Sequence, residues 1–209
     1  MIRAAKKIRD RFLYGLVLLT FQDRFESIGI NIRPYYWMME GLGDIALPEF
    51  KDNPDDYSFE FFGAEEMRML GATEERRGKE EEYNSWLKEG KKCFGVKRRG
   101  QIIAYTWIDF DEIRHFGNNY RLKDNEAYLF HMYTMKEYRG KDMAAYLRFE
   151  CYRALREMGR SSFYSMSEVF NTPAIKFKRK LNANFVKLCV YIHLFKRFHW
   201  NWVIRKYKT

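Results

Sequence analysis

Between a strand-like run ending at Met135 and a helix-like run starting near Met143 lies Lys136-Glu137-Tyr138-Arg139-Gly140-Lys141-Asp142-Met143-Ala144. A short turn feeding a helix gathers unpaired backbone N–H groups and the positive end of the helix dipole at one point, and that geometry binds phosphate. Gly140 and Ala144 let the backbone approach an anion, while Arg139 and Lys141 add charge. The chain has no Gly-x-Ser-x-Gly elbow, no Walker loop and no Cys-x-x-Cys. His193 and His199 stand in aromatic runs with no carboxylate nearby in sequence, so no metal is expected.

The elements around this turn follow from periodicity. Tyr57–Phe62 reads as a strand, Ala64–Leu70 and Glu74–Lys91 as helices, and Cys93–Lys97 and Ile102–Phe110 as a hairpin across Arg98-Arg99-Gly100-Gln101. Ala127–Met135 is the next strand. Met143–Met158 is a helix whose stripe is Leu147, Cys151, Ala154, Leu155 and Met158, with Gly159 as its stop. Ser161–Val169 is a strand, Thr172–Leu181 a short helix, and Phe185–Phe195 and Trp200–Tyr207 are two last strands. The order makes a mixed α/β sheet. Residues 1–25 read as an amphipathic helix with a basic leading end, and residues 26–56 as irregular, with Pro34, Pro48, Pro54 and the aromatic patch Pro34–Glu40. The expected division is an extension over 1–50 and a domain over 51–209.

The 209 residues leave little room for two cores. The longest apolar run, Phe12–Phe21, is too short to span a bilayer, which takes about 20 residues. It carries no signal-cleavage pattern, and three widely spaced cysteines form no disulfide framework, so the expectation is a cytoplasmic protein. The net charge is +10, yet no Asp or Glu follows Glu168, and the last 41 residues hold ten Lys or Arg among nine aromatics. That end attracts anions, whether phosphorylated small molecules, lipid headgroups or nucleic acid, or it is simply a solvated face.

With these residues in place, the chain resembles the GNAT superfamily of acyl-CoA-dependent N-acetyltransferases. The family's pyrophosphate loop, Arg-Gly-x-Gly-x-Gly/Ala after a strand, corresponds to Arg139-Gly140-Lys141-Asp142-Met143-Ala144. Its Asn with Ala three residues later, on the helix after the next strand, corresponds to Asn171 and Ala174. The resemblance runs from about Tyr57 to the C-terminus. Asp142 replaces a glycine, where it could cap the helix. Leu181-Asn182-Ala183 replaces Leu-Gly-Phe, where Asn tolerates a left-handed backbone. Lys178 replaces the tyrosine that protonates the departing thiolate. The run Ser167–Phe177 is similar to members linked with bacterial surface-polysaccharide pathways.

The resemblance implies a mostly antiparallel sheet of six or seven strands, splayed at its centre and flanked by about four helices. It implies an acetyl or longer acyl group moved from acyl-CoA to a primary amine by direct attack. Met132 and Thr134 would pair with the pantetheine, and Arg139, Gly140, Lys141, Asp142, Met143, Ala144 and Asn171 would hold the cofactor, with Lys176 and Lys178 near its phosphates. Glu168 is the first candidate base and His131 the second; Tyr133 and Tyr164 are candidate acids. Each of the four also suits a structural role. The implied acceptor is a small-molecule amine, an amino sugar or envelope precursor among the options, with no metal and no nucleic acid expected. Contact with the inner face of a membrane and a homodimer are both compatible with the sequence. The alternatives are a non-catalytic CoA-binding module and a basic nucleic-acid-binding domain.

Overall fold

The computed structural model describes residues 25–26, 28–41, 43, 56–195 and 197–208. The reading of residues 1–25 as an amphipathic helix therefore lies, but for Phe25, outside the described residues. The elements are β1 (Ile30–Glu40), β2 (Tyr57–Phe62), α1 (Ala64–Ala72), α2 (Glu80–Lys88), β3 (Lys92–Arg98), β4 (Gln101–Asp109), β5 (Glu112–Ile113), β6 (Tyr120–Arg121), β7 (Glu126–Thr134), α3 (Met143–Glu157), β8 (Ser162–Glu168), α4 (Thr172–Lys180), β9 (Asn184–Leu194) and β10 (Phe198–Lys206). Eight strands form one sheet in the order β10-β9-β1-β8-β7-β4-β3-β2, and β5 and β6 form a separate hairpin. The fold is thus a mixed α/β sheet, antiparallel everywhere except between β7 and β8.

The sheet is larger than the six or seven strands expected, and the difference is β1. Residues 26–56 read as irregular because Pro34 interrupts the run and because both faces of Tyr35–Glu40 are covered, which erases the alternation of a half-exposed strand. Tyr35, Met38 and Glu40 are fully buried. β1 pairs with β8 on one side and β9 on the other, so the sheet takes in residues ahead of a boundary at 50. The helix expected over Glu74–Lys91 is shorter, Glu80–Lys88, because Gly78 breaks the chain with φ 80° before it.

Alternate residues of the strands feed two cores. On one face, Phe62, Cys93, Tyr105 and Trp107 pack with Met67 and Leu70 of α1 and Tyr83 of α2. On the other, Phe94, Val96, Ala104 and Ile108 pack with Leu147, Cys151 and Leu155 of α3. The α3 stripe is fully buried at Leu147, Cys151 and Leu155, each leucine about 1.5–3 kcal/mol of burial. The helix ends where Gly159 turns left-handed at φ 80°, as the spacing predicts.

Candidate functional site

β7 and β8 are registered only at Glu126↔Ser162, Ala127↔Phe163 and Tyr128↔Tyr164. Beyond Tyr128 the two strands part. A second irregularity sits on the other edge of β7. Tyr133 pairs with Tyr105 and Phe130 with Trp107, leaving His131 and Met132 opposite Thr106 alone. His131 absorbs the extra residue with φ 45°, a bulge that bends the strand and re-aims its side chains. The result is a cleft of about 1470 Å³ through the middle of the sheet, lined by Leu129–Thr134, Arg139, Gly140, Asp142–Ala145, Ser167, Glu168 and the first turn of α4.

The loop after β7 closes one end of this cleft. A single 3-10 turn, Lys136–Tyr138, leads into it. Arg139 Nε donates to the Thr134 carbonyl at 3.0 Å and its guanidinium lies 5.1 Å from the Tyr133 ring, bracing the loop against β7. Gly140 has φ 77°, and a Cβ placed there would meet nothing within 4 Å. The backbone is therefore exposed toward open space at the start of α3, where helix amides have no intrahelical acceptor. Asp142 occupies the N-cap position with left-handed φ 55°, but its carboxylate does not cap the helix. It reaches instead to Lys180 Nζ at 2.6 Å, at the end of α4. Capping, expected from the residue type, is replaced by an ion pair that draws the negative charge off the amides. Met143 is buried in the core and Lys141 lies 5.5 Å from the Tyr138 ring; Gly140 and Ala144 line the cleft.

Asn171 has a local task. Its Oδ1 accepts from the Ala174 N–H at 3.3 Å, so the Asn–Ala spacing seen in the sequence is the N-cap of α4. Asn182 after α4 adopts φ 55°, the left-handed turn that the missing glycine left to it.

The residues named for proton transfer are dispersed. Glu168 lines the cleft and pairs with Arg33 Nη1 at 3.0 Å. His131 Nε2 lies 3.0 Å from Arg76 Nη2 and 3.1 Å from the Tyr83 hydroxyl. Arginine can only donate, so this nitrogen is an acceptor and the ring is neutral. Burial, reinforced by Arg76, lowers its pKa to about 4. Tyr133 donates to Glu75 Oε2 at 2.6 Å, and burial together with that bond pushes its hydroxyl up to about 12. Tyr164 donates to Glu126 Oε1 at 3.1 Å, outside the residues that line the cleft.

A buried polar cluster escaped the sequence reading. Glu40 of β1 is wholly buried, accepts hydrogen bonds from Tyr152 Oη at 2.5 Å and from the Ser165 hydroxyl, and is ion-paired with Lys178 Nζ at 3.3 Å and Arg148 Nε at 3.5 Å. Burial alone would raise its pKa; Arg148 and Lys178, helped by the two hydroxyls, outweigh that and hold it at about 2. Lys178 donates to Ser165 Oγ at 2.7 Å and Ser167 Oγ at 2.8 Å. Burial draws its ammonium down to about 8, against the attraction of Glu40. The signal available for Arg148 is its spacing, four residues after Ala144 and three before Cys151, which puts it on the inward side of α3.

Among the described residues no group of His, Cys, Asp or Glu could hold a metal, and no helix is long and apolar enough to cross a membrane. The basic end forms β9 and the edge strand β10, where Phe198, Trp200, Trp202 and Ile204 are exposed along one face.

No curated protein matches the chain. Solved structures share the fold. A GNAT-family acetyltransferase from Novosphingobium aromaticivorans DSM 12444 matches at TM-score 0.52 and 22% identity over 79% of this chain and 66% of its own. A tandem GNAT protein of the clavulanic acid biosynthesis pathway matches at 0.52 and 14%, over 85% of this chain and 55% of its own. The glucosamine N-acetyltransferase region of a fungal multi-domain GH3 β-N-acetylglucosaminidase matches at 0.58 and 14%, over 84% of this chain and 22% of its own. The chain thus spans less than two thirds of each. The family model for the acetyltransferase (GNAT) family matches residues 51–183. With the parted strands and the loop at the head of α3, that match places the chain in the GNAT acetyltransferase family.

Proposed function

We propose that the chain transfers an acetyl or longer acyl group from acyl-CoA to a primary amine, and that the amine belongs to an amino sugar or a related envelope precursor. The observation that carries the first part is the loop itself. Gly140 exposes backbone to open space at the start of α3, and the Asp142 carboxylate at the N-cap is bound to Lys180. A diphosphate fits such a place, since backbone donors and a helix dipole meet it without a competing carboxylate. Arg139, Gly140, Lys141 and Ala144 would hold the diphosphate, with Lys176 toward the nucleotide and Met132 and Thr134 toward the pantetheine. When bound, acyl-CoA supplies an activated thioester.

The acceptor reading rests on other residues that line the cleft. Trp86, Tyr128 and Phe130 offer ring faces, and Glu82, Asp109 and Glu112 offer carboxylates. Rings against a sugar's C–H surface and carboxylates against its hydroxyls and ammonium suit an amino sugar. Glu168, which lines the cleft, is the base we favour over His131, whose free nitrogen lone pair is already engaged by Arg76. The edge strand β10 would serve any contact with a membrane surface or a second copy; nucleic acid is not part of the proposal. Thiol release from acetyl-CoA in the presence of a panel of amines tests the reading. Amino-sugar-dependent release supports it. Release with other amines alone overturns the acceptor, and no release with any amine overturns the activity.

A further inference from the structure

β9 and β10 end the sheet beyond β1, while the described helices pack chiefly over β2, β3, β4 and β7. Residues paired across neighbouring strands point to the same face. One row across β1, β9 and β10 is Ile30, Leu194 and Phe198, and another is Pro34, Val190 and Trp202. The row between them, through Ile192 and Trp200, is apolar as well. Three strands thus present one uninterrupted apolar face. Along β10 the rings of Phe198, Trp200 and Trp202 follow one another at 6.1 and 6.2 Å, with planes 12° and 17° from parallel. They are 48%, 41% and 53% exposed. The opposite face of β10 is anchored, since Asn201 Nδ2 donates to the Phe116 carbonyl at 2.9 Å and to the Tyr35 hydroxyl at 2.8 Å. That anchor fixes which way the rings point. A contiguous exposed apolar patch of this kind marks an interaction surface.

The charges around the face choose the partner. Arg197, in the turn before β10, and Arg205, near its end, bracket the rings; Lys206 and Lys208 follow, and all four are exposed. No Asp or Glu follows Glu168 in the sequence, and Glu26, ahead of β1, is held by Arg33 at 2.6 Å. A second copy meeting this patch about a two-fold axis would set these cations against themselves. A single-stranded nucleic acid would find rings along β10 but aliphatic side chains on β9, where it needs further stacking or phosphate contacts. Anionic phospholipid meets both parts, with acyl chains for the apolar centre and phosphates for the basic margin, and tryptophan favours the headgroup level between them.

We propose that the apolar face of β1, β9 and β10 docks on a bilayer surface rich in anionic phospholipid, with Trp200 and Trp202 at the headgroup level and Arg197 and Arg205 on the phosphates. This chooses between the two contacts open to β10. It is independent of acyl transfer, so the failure of either reading leaves the other standing.

Co-sedimentation of the full chain with vesicles of phosphatidylcholine, and of phosphatidylcholine mixed equally with phosphatidylglycerol, tests the proposal. The wild type is expected to bind the mixed vesicles and not the neutral ones, and to leave them as salt rises. A basic side chain at an anionic surface contributes about fivefold in affinity, so Arg197→Glu combined with Arg205→Glu should cost at least about thirtyfold. Trp200→Ser combined with Trp202→Ser should cost at least about tenfold, through the apolar burial it removes. Lipid brominated along its acyl chains should quench the tryptophan fluorescence of the wild type but not of that variant, since Trp37 and Trp107 are buried and Trp86 packs against Trp107. The arginine variant decides the matter if the tryptophan variant does not fold. Equal binding to the two vesicle types, binding that survives in both variants, or a wild type that stays in solution with either vesicle would overturn the proposal. So would a dimer or an oligonucleotide complex that disappears with the two tryptophans.

Discussion

Asp142 Oδ1 and Lys180 Nζ, 38 positions apart in sequence, meet at 2.6 Å and tie the head of α3 to the end of α4. Both side chains are half exposed, so the pair contributes under about 1 kcal/mol to stability. Its consequence is electrostatic: it turns a carboxylate away from the amides that face the cleft. Asp142→Gly should keep the fold, since glycine relieves about 1 kcal/mol of left-handed strain while the ion pair is lost. It should also bind acetyl-CoA at least as well as the wild type. Lys180→Glu should weaken binding several-fold, by like-charge repulsion with Asp142 beside the loop. Thermal melts and calorimetric titration check both.

Glu40 pairs with two buried cations, Arg148 and Lys178. Glu40→Ala strands both, and removing one partner of a buried ion pair costs about 3–5 kcal/mol. A melting temperature within a degree or two of the wild type would show that the cluster is not held by charge. The carboxyl's lowered pKa adds stability that is complete above its ordinary value of 4.5 and is lost as pH falls toward about 2.

His131 gives a separate acid limb. Its folded pKa of about 4 lies below the ordinary 6.5, so the unfolded chain binds the extra proton first. Stability from this group is present above pH 6.5 and falls as pH drops toward 4. His131→Gln should flatten the melting temperature between those two values. A slope unchanged by the substitution would mean that the ring is protonated in the fold.

Glu168→Gln preserves shape and removes a charge, though it also frees Arg33. If Glu168 takes the acceptor's proton, turnover should fall by about 10²–10⁴-fold, the range for general base catalysis, with acetyl-CoA affinity unchanged. Equal turnover would remove Glu168 from the chemistry.

The loop and most elements were legible because each is a local pattern: a glycine before a helix stripe, alternation, an Asn that tolerates a left-handed turn. Asn182 does in the structure what its residue type announces, while Asn171, expected at the cofactor, caps α4. β1 was not legible, since burial on both faces removed its alternation and Pro34 argued against a strand. Nor was the Glu40–Arg148–Ser165–Lys178 cluster, whose members come from four elements and meet only through the sheet order. The direction of Asp142 failed for the same reason: its partner lies on another helix, and local capping preference lost to a longer-range charge.

Calorimetric titration of acetyl-CoA into the wild type and Gly140→Glu asks whether backbone amides of the loop from Arg139 to Ala144 hold the diphosphate of acyl-CoA. Saturable binding is expected for the wild type and none for the variant, where a side chain and a negative charge enter the space that Gly140 leaves open. Equal affinity in the two proteins, or no binding by the wild type at millimolar ligand, would contradict it.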